Sequence, residues 1–243
     1  MKFRNLIIVA AIVFSMAFTA CNNVDSSSVV LANRTDTISY IIGQDYGKNL
    51  SQQTYEVNPA AVYKGIEDAI NKTQLIPDSL RNNIVAGFNQ KLELDMQATV
   101  QQTALQNKKI GAQFLGTMQK QEGVVTLPNG MQYRVVKQGK GKKAVVSDSV
   151  TLHYRGTYVA IKDDKFDFPV YGESYGSGPV NILVSNTVPG LRDGLQLMNP
   201  GSVYEFYIPS SLGFGEDGKS QIVPPGVTLV IRVELISVEN PEK

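Results

Sequence analysis

The stretch GFGEDGKS (213–220) has the spacing of a phosphate-binding loop, G-x-x-x-x-G-K-[ST]. Such a loop binds phosphate because a strand enters it and a helix leaves it, with backbone N–H groups directed at the anion. Here Pro224 and Pro225 follow, and mainly β-branched residues come next, so no helix can begin there. We predict a flexible loop before a strand, and we expect no nucleotide as a partner.

Other side chains with catalytic chemistry are few. The chain has one histidine and one cysteine, which excludes a zinc cluster of Cys and His ligands and predicts neither a metal nor another cofactor. His153 and Tyr154 are neighbours in an alternating stretch and point to opposite faces, so we interpret His153 as structural rather than catalytic. The net charge of +1 provides no field that would attract nucleic acid.

An apolar set in the C-terminal half, with one acidic residue among it, is the remaining candidate site. Its members are Tyr154, Phe166, Asp167, Val188, Leu191, Phe214, Ile222, Val223 and Ile231. Core packing is the ordinary explanation for such residues. The alternative is a reaction that needs an apolar cleft and no nucleophile.

The elements that must position this set are strands. Asn129-Gly130 is a hairpin signal, SDSVTLHYRGTYV (147–159) alternates in polarity, and VYEFYIP (203–209) and VTLVIRVELISV (227–238) are rich in β-branched and aromatic residues. We predict an antiparallel domain over residues 123–243.

Residues 34–77 have helical periodicity instead. Ile38, Ile41, Ile42 and Tyr46 form an apolar stripe, and Asn58 before Pro59 marks the start of a second helix. Residues 78–122 contain no proline and predict a connecting helix of about 60 Å. Because its middle is rich in glutamine, we expect this helix to cross solvent, with a disordered linker as the alternative. The predicted fold class is α+β: a helical domain, a long connecting helix and a twisted antiparallel sheet.

The N-terminus is typical of an exported protein. Lys2 and Arg4 precede an uncharged apolar run (6–18), which predicts a signal peptide over residues 1–20. The only cysteine, Cys21, follows this run and resembles the acylated cysteine of bacterial lipoproteins; a buried cysteine is the alternative. We expect a lipid anchor at Cys21 and a polar tether over residues 21–33.

Several motifs together resemble the FKBP-type peptidyl-prolyl cis–trans isomerases. They are HYRG (153–156), KFD (165–167), VPGLRDGLQLM (188–198), GFG (213–215), IVPP (222–225) and LVIRVEL (229–235). The segment TDTISYIIGQDYGKNL (35–50) resembles the dimerising domain of the macrophage infectivity potentiator proteins and related periplasmic FKBP chaperones.

The resemblance implies a sheet wrapped around a short helix near residues 191–197, with GFGEDGKS overhanging the pocket. It implies catalytic roles for Tyr154, Phe166, Asp167 and Phe214, and substrate binding by Val188, Leu191, Ile222, Val223 and Ile231. It also implies a homodimeric prolyl isomerase and chaperone acting on proline-containing exported polypeptides. The location would be the bacterial cell envelope, at the outer membrane facing the periplasm.

Several positions depart from the family's pattern. After Asp167 the segment FPVYGESYGSGP (168–179) is longer than usual, Ser177 stands where the family often has arginine, and a second register is possible there. Leu191 replaces the usual tryptophan of the pocket floor, Phe214 replaces a tyrosine whose hydroxyl bonds the peptide, and Ile231 replaces an aromatic residue. These departures predict weak catalysis. They also leave a second function open, that of a non-catalytic scaffold subunit in an outer-membrane assembly.

Overall fold

The computed structural model describes residues 29–53 and 55–239, so the predicted signal peptide and Cys21 lie outside the described residues. The described residues begin with three helices, α1 (Arg34–Ser51), α2 (Pro59–Asn71) and α3 (Asp78–Met118). Asn33 begins α1 in a capping box with Asp36. The side chain of Asn58 accepts hydrogen bonds from the first turn of α2, which confirms the predicted cap.

The unit that ends at Pro77 buries almost nothing by itself. Among its described residues the only buried one is Asp68, a carboxylate that contacts Lys64 at 2.9 Å and accepts a hydrogen bond from Thr73 at 2.8 Å. The apolar side chains of α1 and α2, among them Ile42 at 57% exposure, remain accessible to solvent. The described part of this unit therefore has no apolar core of its own.

Helix α3 belongs with the sheet in the second unit, and it is continuous, as predicted. The expectation that it crosses solvent is wrong for its C-terminal half, where Ala104, Gly111 and Phe114 are buried. Small residues allow this contact: a methyl group at Gly226 would lie 2.5 Å from the Ala104 carbonyl oxygen, and one at Gly111 would lie 2.2 Å from the Thr228 hydroxyl.

The described part of the sheet domain contains nine strands. They are β1 (Val124–Thr126), β2 (Gln132–Lys137), β3 (Ser149–Tyr158), β4 (Ala160–Lys162), β5 (Lys165–Asp167), β6 (Val170–Glu173), β7 (Val180–Leu183), β8 (Val203–Ile208) and β9 (Leu229–Glu239). The main sheet has the order β1-β2-β8-β9-β3-β6, and β7 pairs with the first half of β3. Strands β4 and β5 form a separate two-stranded sheet. Every pairing in both sheets is antiparallel.

A short helix, α4 (Pro189–Leu195), packs on this sheet. Two glycines allow its close approach, since a methyl group at Gly194 would lie 2.7 Å from the Phe206 ring and one at Gly190 would lie 2.4 Å from Ile208. Leu195 and Met198 are fully buried in the core that results. The predicted fold class, helices followed by an antiparallel sheet around a short helix, is confirmed.

A second apolar cluster joins α3 to the sheet domain. The ring of Phe114, which is 5% exposed, makes edge contacts with Phe166, Phe168 and Tyr207 at centroid distances of 5.3, 5.6 and 5.8 Å. Val159 completes the buried part of this cluster. The cluster therefore holds the β4–β5 hairpin and the end of α3 against each other.

No helix among the residues that the structure describes has the length and hydropathy needed to cross a membrane.

Candidate active site

The candidate site is built on strand β3. Tyr154 and Gly156 lie two residues apart and share one face of the strand. Ile231 of β9 is the register partner of Gly156 and is only 2% exposed. Tyr154 is partly buried against the main core, so its ring covers the apolar layer to which Ile231 belongs.

Strand β6 brings Tyr171 to this face, a residue that sequence reasoning missed. Gly172 pairs with Gly156 across the two strands. A methyl group at Gly156 would lie 2.5 Å from Cζ of Tyr171, and one at Gly172 would lie 3.1 Å from the hydroxyl of Tyr154. The glycine pair therefore makes room for two tyrosine side chains, which pack against the same core.

The loop after β8 contributes Phe214. Its ring meets Tyr171 edge to face at a centroid distance of 5.7 Å, and the ammonium of Lys219 lies 5.3 Å from its ring centroid. Helix α4 begins beside this loop, because a methyl group at Gly190 would lie 3.2 Å from the Leu212 carbonyl oxygen. Val188 and Leu191, at the start of α4, are partly buried on the same core.

The loop over residues 213–226, which the resemblance predicts to overhang the pocket, is held by hydrogen bonds within it and by contacts with α3. Lys219 N–H donates to the Val223 carbonyl at 2.9 Å, and Gly226 N–H donates to Gly215 at 3.0 Å. From α3, Asn107 donates to the Pro225 carbonyl at 2.8 Å, and Lys108 pairs with Glu216. The next regular element after Ser220 is β9 in the described chain, so the segment lacks the helix that a phosphate-binding loop requires.

The structure separates two predicted residues from the others. Phe166 packs in the cluster around Phe114, and Asp167 pairs with Ala160 in the small β4–β5 sheet. The strand beside Gly156 is β6 instead of β5, so Tyr171 rather than Asp167 neighbours Tyr154. In the KFD motif the ring of Phe166 packs against Phe114, so the motif contributes to the contact between α3 and the sheet domain. We therefore remove Phe166 and Asp167 from the proposed site.

The two IVPP residues have different environments. Ile222 is 57% exposed on the overhanging loop, where a bound peptide could contact it. Val223 is fully buried in the core and supports the loop from behind. A substrate-binding role therefore remains proposed for Ile222, Val188 and Leu191, whereas Val223 and Ile231 form the layer beneath.

His153 lies on the other side of β3 and is held by its neighbours. Its Nδ1 is 3.1 Å from the Ser174 hydroxyl, and its ring stacks on Tyr175 at a centroid distance of 5.0 Å. Ser174 also accepts a hydrogen bond from the Tyr154 backbone N–H at 2.9 Å, which secures β6 to β3. This environment supports the structural interpretation of His153.

The chemistry of the site is apolar and aromatic. Burial raises the pKa of Tyr171, and the nearby Tyr154 raises it further, so both effects keep the Tyr171 hydroxyl protonated. Within the described residues no three His, Cys, Asp or Glu side chains come together as a metal site. Tyr154, Tyr171 and Phe214 form an aromatic surface on an antiparallel sheet beside a short helix, and such a surface suits an apolar peptide segment, the class of ligand that a prolyl isomerase binds.

Comparison with known proteins identifies the family. Residues 140–236 match the family model of the FKBP-type peptidyl-prolyl cis-trans isomerase, and residues 35–135 match the model of the domain amino terminal to it. The outer membrane protein MIP of Legionella longbeachae is 33% identical over 96% of this chain and 97% of its own length. The peptidyl-prolyl cis-trans isomerase Mip of Coxiella burnetii is 31% identical over 86% and 89%.

A solved structure agrees with these matches. The crystal structure of FkpA from Escherichia coli superposes with a TM-score of 0.69 at 26% identity, covering 87% of this chain and 99% of that one. The chain belongs to the FKBP-type peptidyl-prolyl cis–trans isomerases and is an enzyme of that class.

The geometry explains how such a site can act without an acid, a base or a cofactor. Rotation about an X-Pro bond has a barrier of about 18 to 20 kcal/mol because amide resonance must be broken. The planar amide carries the larger charge separation, which water stabilises and an apolar cleft does not. An X-Pro bond placed in an apolar pocket of this class is therefore less stabilised in its planar form, relative to the twisted one, than it is in water.

Proposed function

We propose that this protein is a lipid-anchored, homodimeric prolyl isomerase and folding chaperone for exported polypeptides in the bacterial envelope. The observation that supports it most is the apolar site at Tyr154, Tyr171 and Phe214, joined in one chain to a helical unit with accessible apolar faces. The name of the Legionella relative, outer membrane protein MIP, supports an envelope location. Our proposal further places the anchor in the outer membrane, with the protein facing the periplasm.

The test is isomerisation of a panel of proline tetrapeptides that differ in the residue before proline, followed by two-dimensional exchange NMR. We expect measurable turnover, with a preference for Leu or Phe before proline because the site is apolar and aromatic. Chaperone action is measured separately, as suppression of aggregation of a reduced, proline-poor client protein. Isomerase turnover without such suppression would remove the chaperone part of the proposal and leave the enzyme.

The departures at Leu191, Phe214 and Ile231 favour a second candidate, a non-catalytic scaffold subunit of an outer-membrane assembly. This candidate predicts that the folded chain binds peptides at the site but does not isomerise them. The tetrapeptide panel therefore separates the two functions.

Dimerisation through the N-terminal unit follows from its exposed apolar residues. Ile38, Ile41, Ile42 and Tyr46 of α1 are 47 to 62% exposed, and the described part of the unit has no buried apolar residue. A groove of about 450 Å³ runs between α1 and α2, lined by residues that include Leu50, Val62 and Ile66. We propose that a second copy of the chain covers these surfaces.

Replacing Ile42 by arginine should convert the dimer into a monomer, because a charge would have to be buried in an apolar interface. Light scattering on residues 22–243 should give twice the chain mass for the wild type and a single chain mass for Ile42→Arg. The matched control is Gln44→Arg, which adds the same charge on the opposite side of α1 and should stay dimeric. A wild type that is monomeric at micromolar concentration would contradict the proposal.

Cys21 should be the acylated N-terminus of the mature chain. Mass spectrometry of the protein extracted from membranes should find residues 1–20 absent and two or three acyl chains on Cys21. The Cys21→Ser variant should lose the acyl groups and leave the membrane fraction on washing. A free thiol at Cys21 in the native protein would overturn the anchor.

A further inference from the structure

The hydroxyl group of Tyr171 is unpaired among the residues that the structure describes. Among the described residues no hydrogen bond to this hydroxyl is present, although the side chain is largely buried and packs on the core. The oxygen is nevertheless not sealed off from solvent. A buried tyrosine ordinarily finds a partner for its hydroxyl, so an open and unpaired one at an aromatic site points to a ligand.

The backbone around Tyr171 is adapted to place this hydroxyl. Only a glycine at position 156 leaves room for it, because a methyl group there would lie 2.7 Å from the Tyr171 oxygen. Its register partner Gly172 similarly leaves room for the Tyr154 hydroxyl. Two facing glycines thus hold two tyrosine hydroxyls on the side of the sheet where the peptide would lie.

The neighbour of Tyr171 is Phe214, the residue that lacks the hydroxyl of the family's usual tyrosine. Phe214 can contribute only its ring, and that ring meets the Tyr171 ring edge to face at 5.7 Å. The Tyr171 hydroxyl is therefore the one donor of this edge-to-face pair. Because burial and the adjacent Tyr154 both raise the pKa of Tyr171, the hydroxyl keeps its proton and remains a donor at neutral pH.

We propose that Tyr171 is a substrate-contacting residue of this isomerase, whose hydroxyl donates a hydrogen bond to a backbone carbonyl of the bound X-Pro peptide and so replaces the donor absent from Phe214. The proposal rests on the prolyl-isomerase function. It adds a residue outside KFD to the site.

The test is Tyr171→Phe, which removes one oxygen and keeps the packing. We expect kcat/KM on a Leu-Pro tetrapeptide to fall about three- to tenfold, the range of a single net hydrogen bond in an apolar site. The thermal unfolding midpoint should not change, since the hydroxyl has no partner among the described residues. Tyr175→Phe removes a hydroxyl from an exposed ring outside the site and should leave kcat/KM unchanged.

Rescue separates this role from a merely structural one. Phe214→Tyr in the Tyr171→Phe background should restore kcat/KM to within about twofold of the wild type, whereas the same change in the wild type should have a smaller effect. Unchanged kcat/KM in Tyr171→Phe, or a rise caused by relief of a blocked cleft, overturns the proposal and leaves the isomerase function standing. A wild type that neither isomerises the peptide nor shifts its NMR signals on titration overturns both.

Discussion

Replacing Phe114 by alanine should lower the free energy of unfolding of the sheet domain by about 3 to 5 kcal/mol, the usual cost of removing a fully packed aromatic side chain. Phe114 is 5% exposed and makes edge contacts with three rings. Their loss leaves a cavity between α3 and the β4–β5 hairpin. Urea unfolding of residues 22–243, followed by near-ultraviolet circular dichroism of the tyrosines, should give an earlier midpoint with an unchanged slope.

The control is Leu105→Ala on the same helix. Leu105 is 60% exposed, so its truncation should cost less than about 0.5 kcal/mol. A Phe114→Ala variant as stable as this control would show that the aromatic cluster does not fasten α3 to the sheet. The same variant should also loosen the overhanging loop, because Asn107 and Lys108 reach that loop from the helix that Phe114 anchors.

This role of Phe114 shows where the sequence was informative about the fold and where it was not. The helix starts were predictable, because Asn58 and Pro59 act locally on the first turn of α2. The docking of α3 was not, since its contacts depend on Ala104 and Gly111, which contribute nothing to an apolar stripe. Close approach through small residues depends on the surface of the partner element.

The site shows the same contrast. The places of Tyr154, Val188, Leu191 and Phe214 in the fold were predictable, because their motifs fix them relative to strand or helix ends; their roles in binding or catalysis remain proposals. Tyr171 was missed because the segment after KFD is longer than usual, and only the pairing of β6 with β3 decides which of its residues faces Tyr154. The signal that could have found it is the glycine next to it, since Gly156 and Gly172 both stand in β-rich stretches where glycine is otherwise unfavourable.

Leu191→Trp should raise kcat/KM for proline peptides about tenfold, equivalent to about 1.4 kcal/mol of the barrier, and the addition of Phe214→Tyr should raise it by a smaller further factor. Leu191 is partly buried at the start of α4, where a larger flat side chain would extend the floor under a bound proline. A better-filled floor removes the cavity penalty that a small side chain leaves beneath the ring. Because Tyr171 already brings a hydroxyl to the edge of Phe214, we expect most of the gain from Leu191→Trp.

The test compares four chains: the wild type, Leu191→Trp, Phe214→Tyr and the double variant. Exchange NMR of all four on one Phe-Pro peptide distinguishes the possible origins of weak catalysis. Thermal unfolding of each chain must first show that the larger side chain is accommodated, since overpacking can cost about 1 to 3 kcal/mol. A folded Leu191→Trp variant that is no faster than a slow wild type would mean that the floor does not limit turnover. If all four folded chains bind the peptide and none isomerises it, the scaffold function takes precedence, because an apolar cleft with its floor and hydroxyl restored would still lack selectivity for the twisted amide.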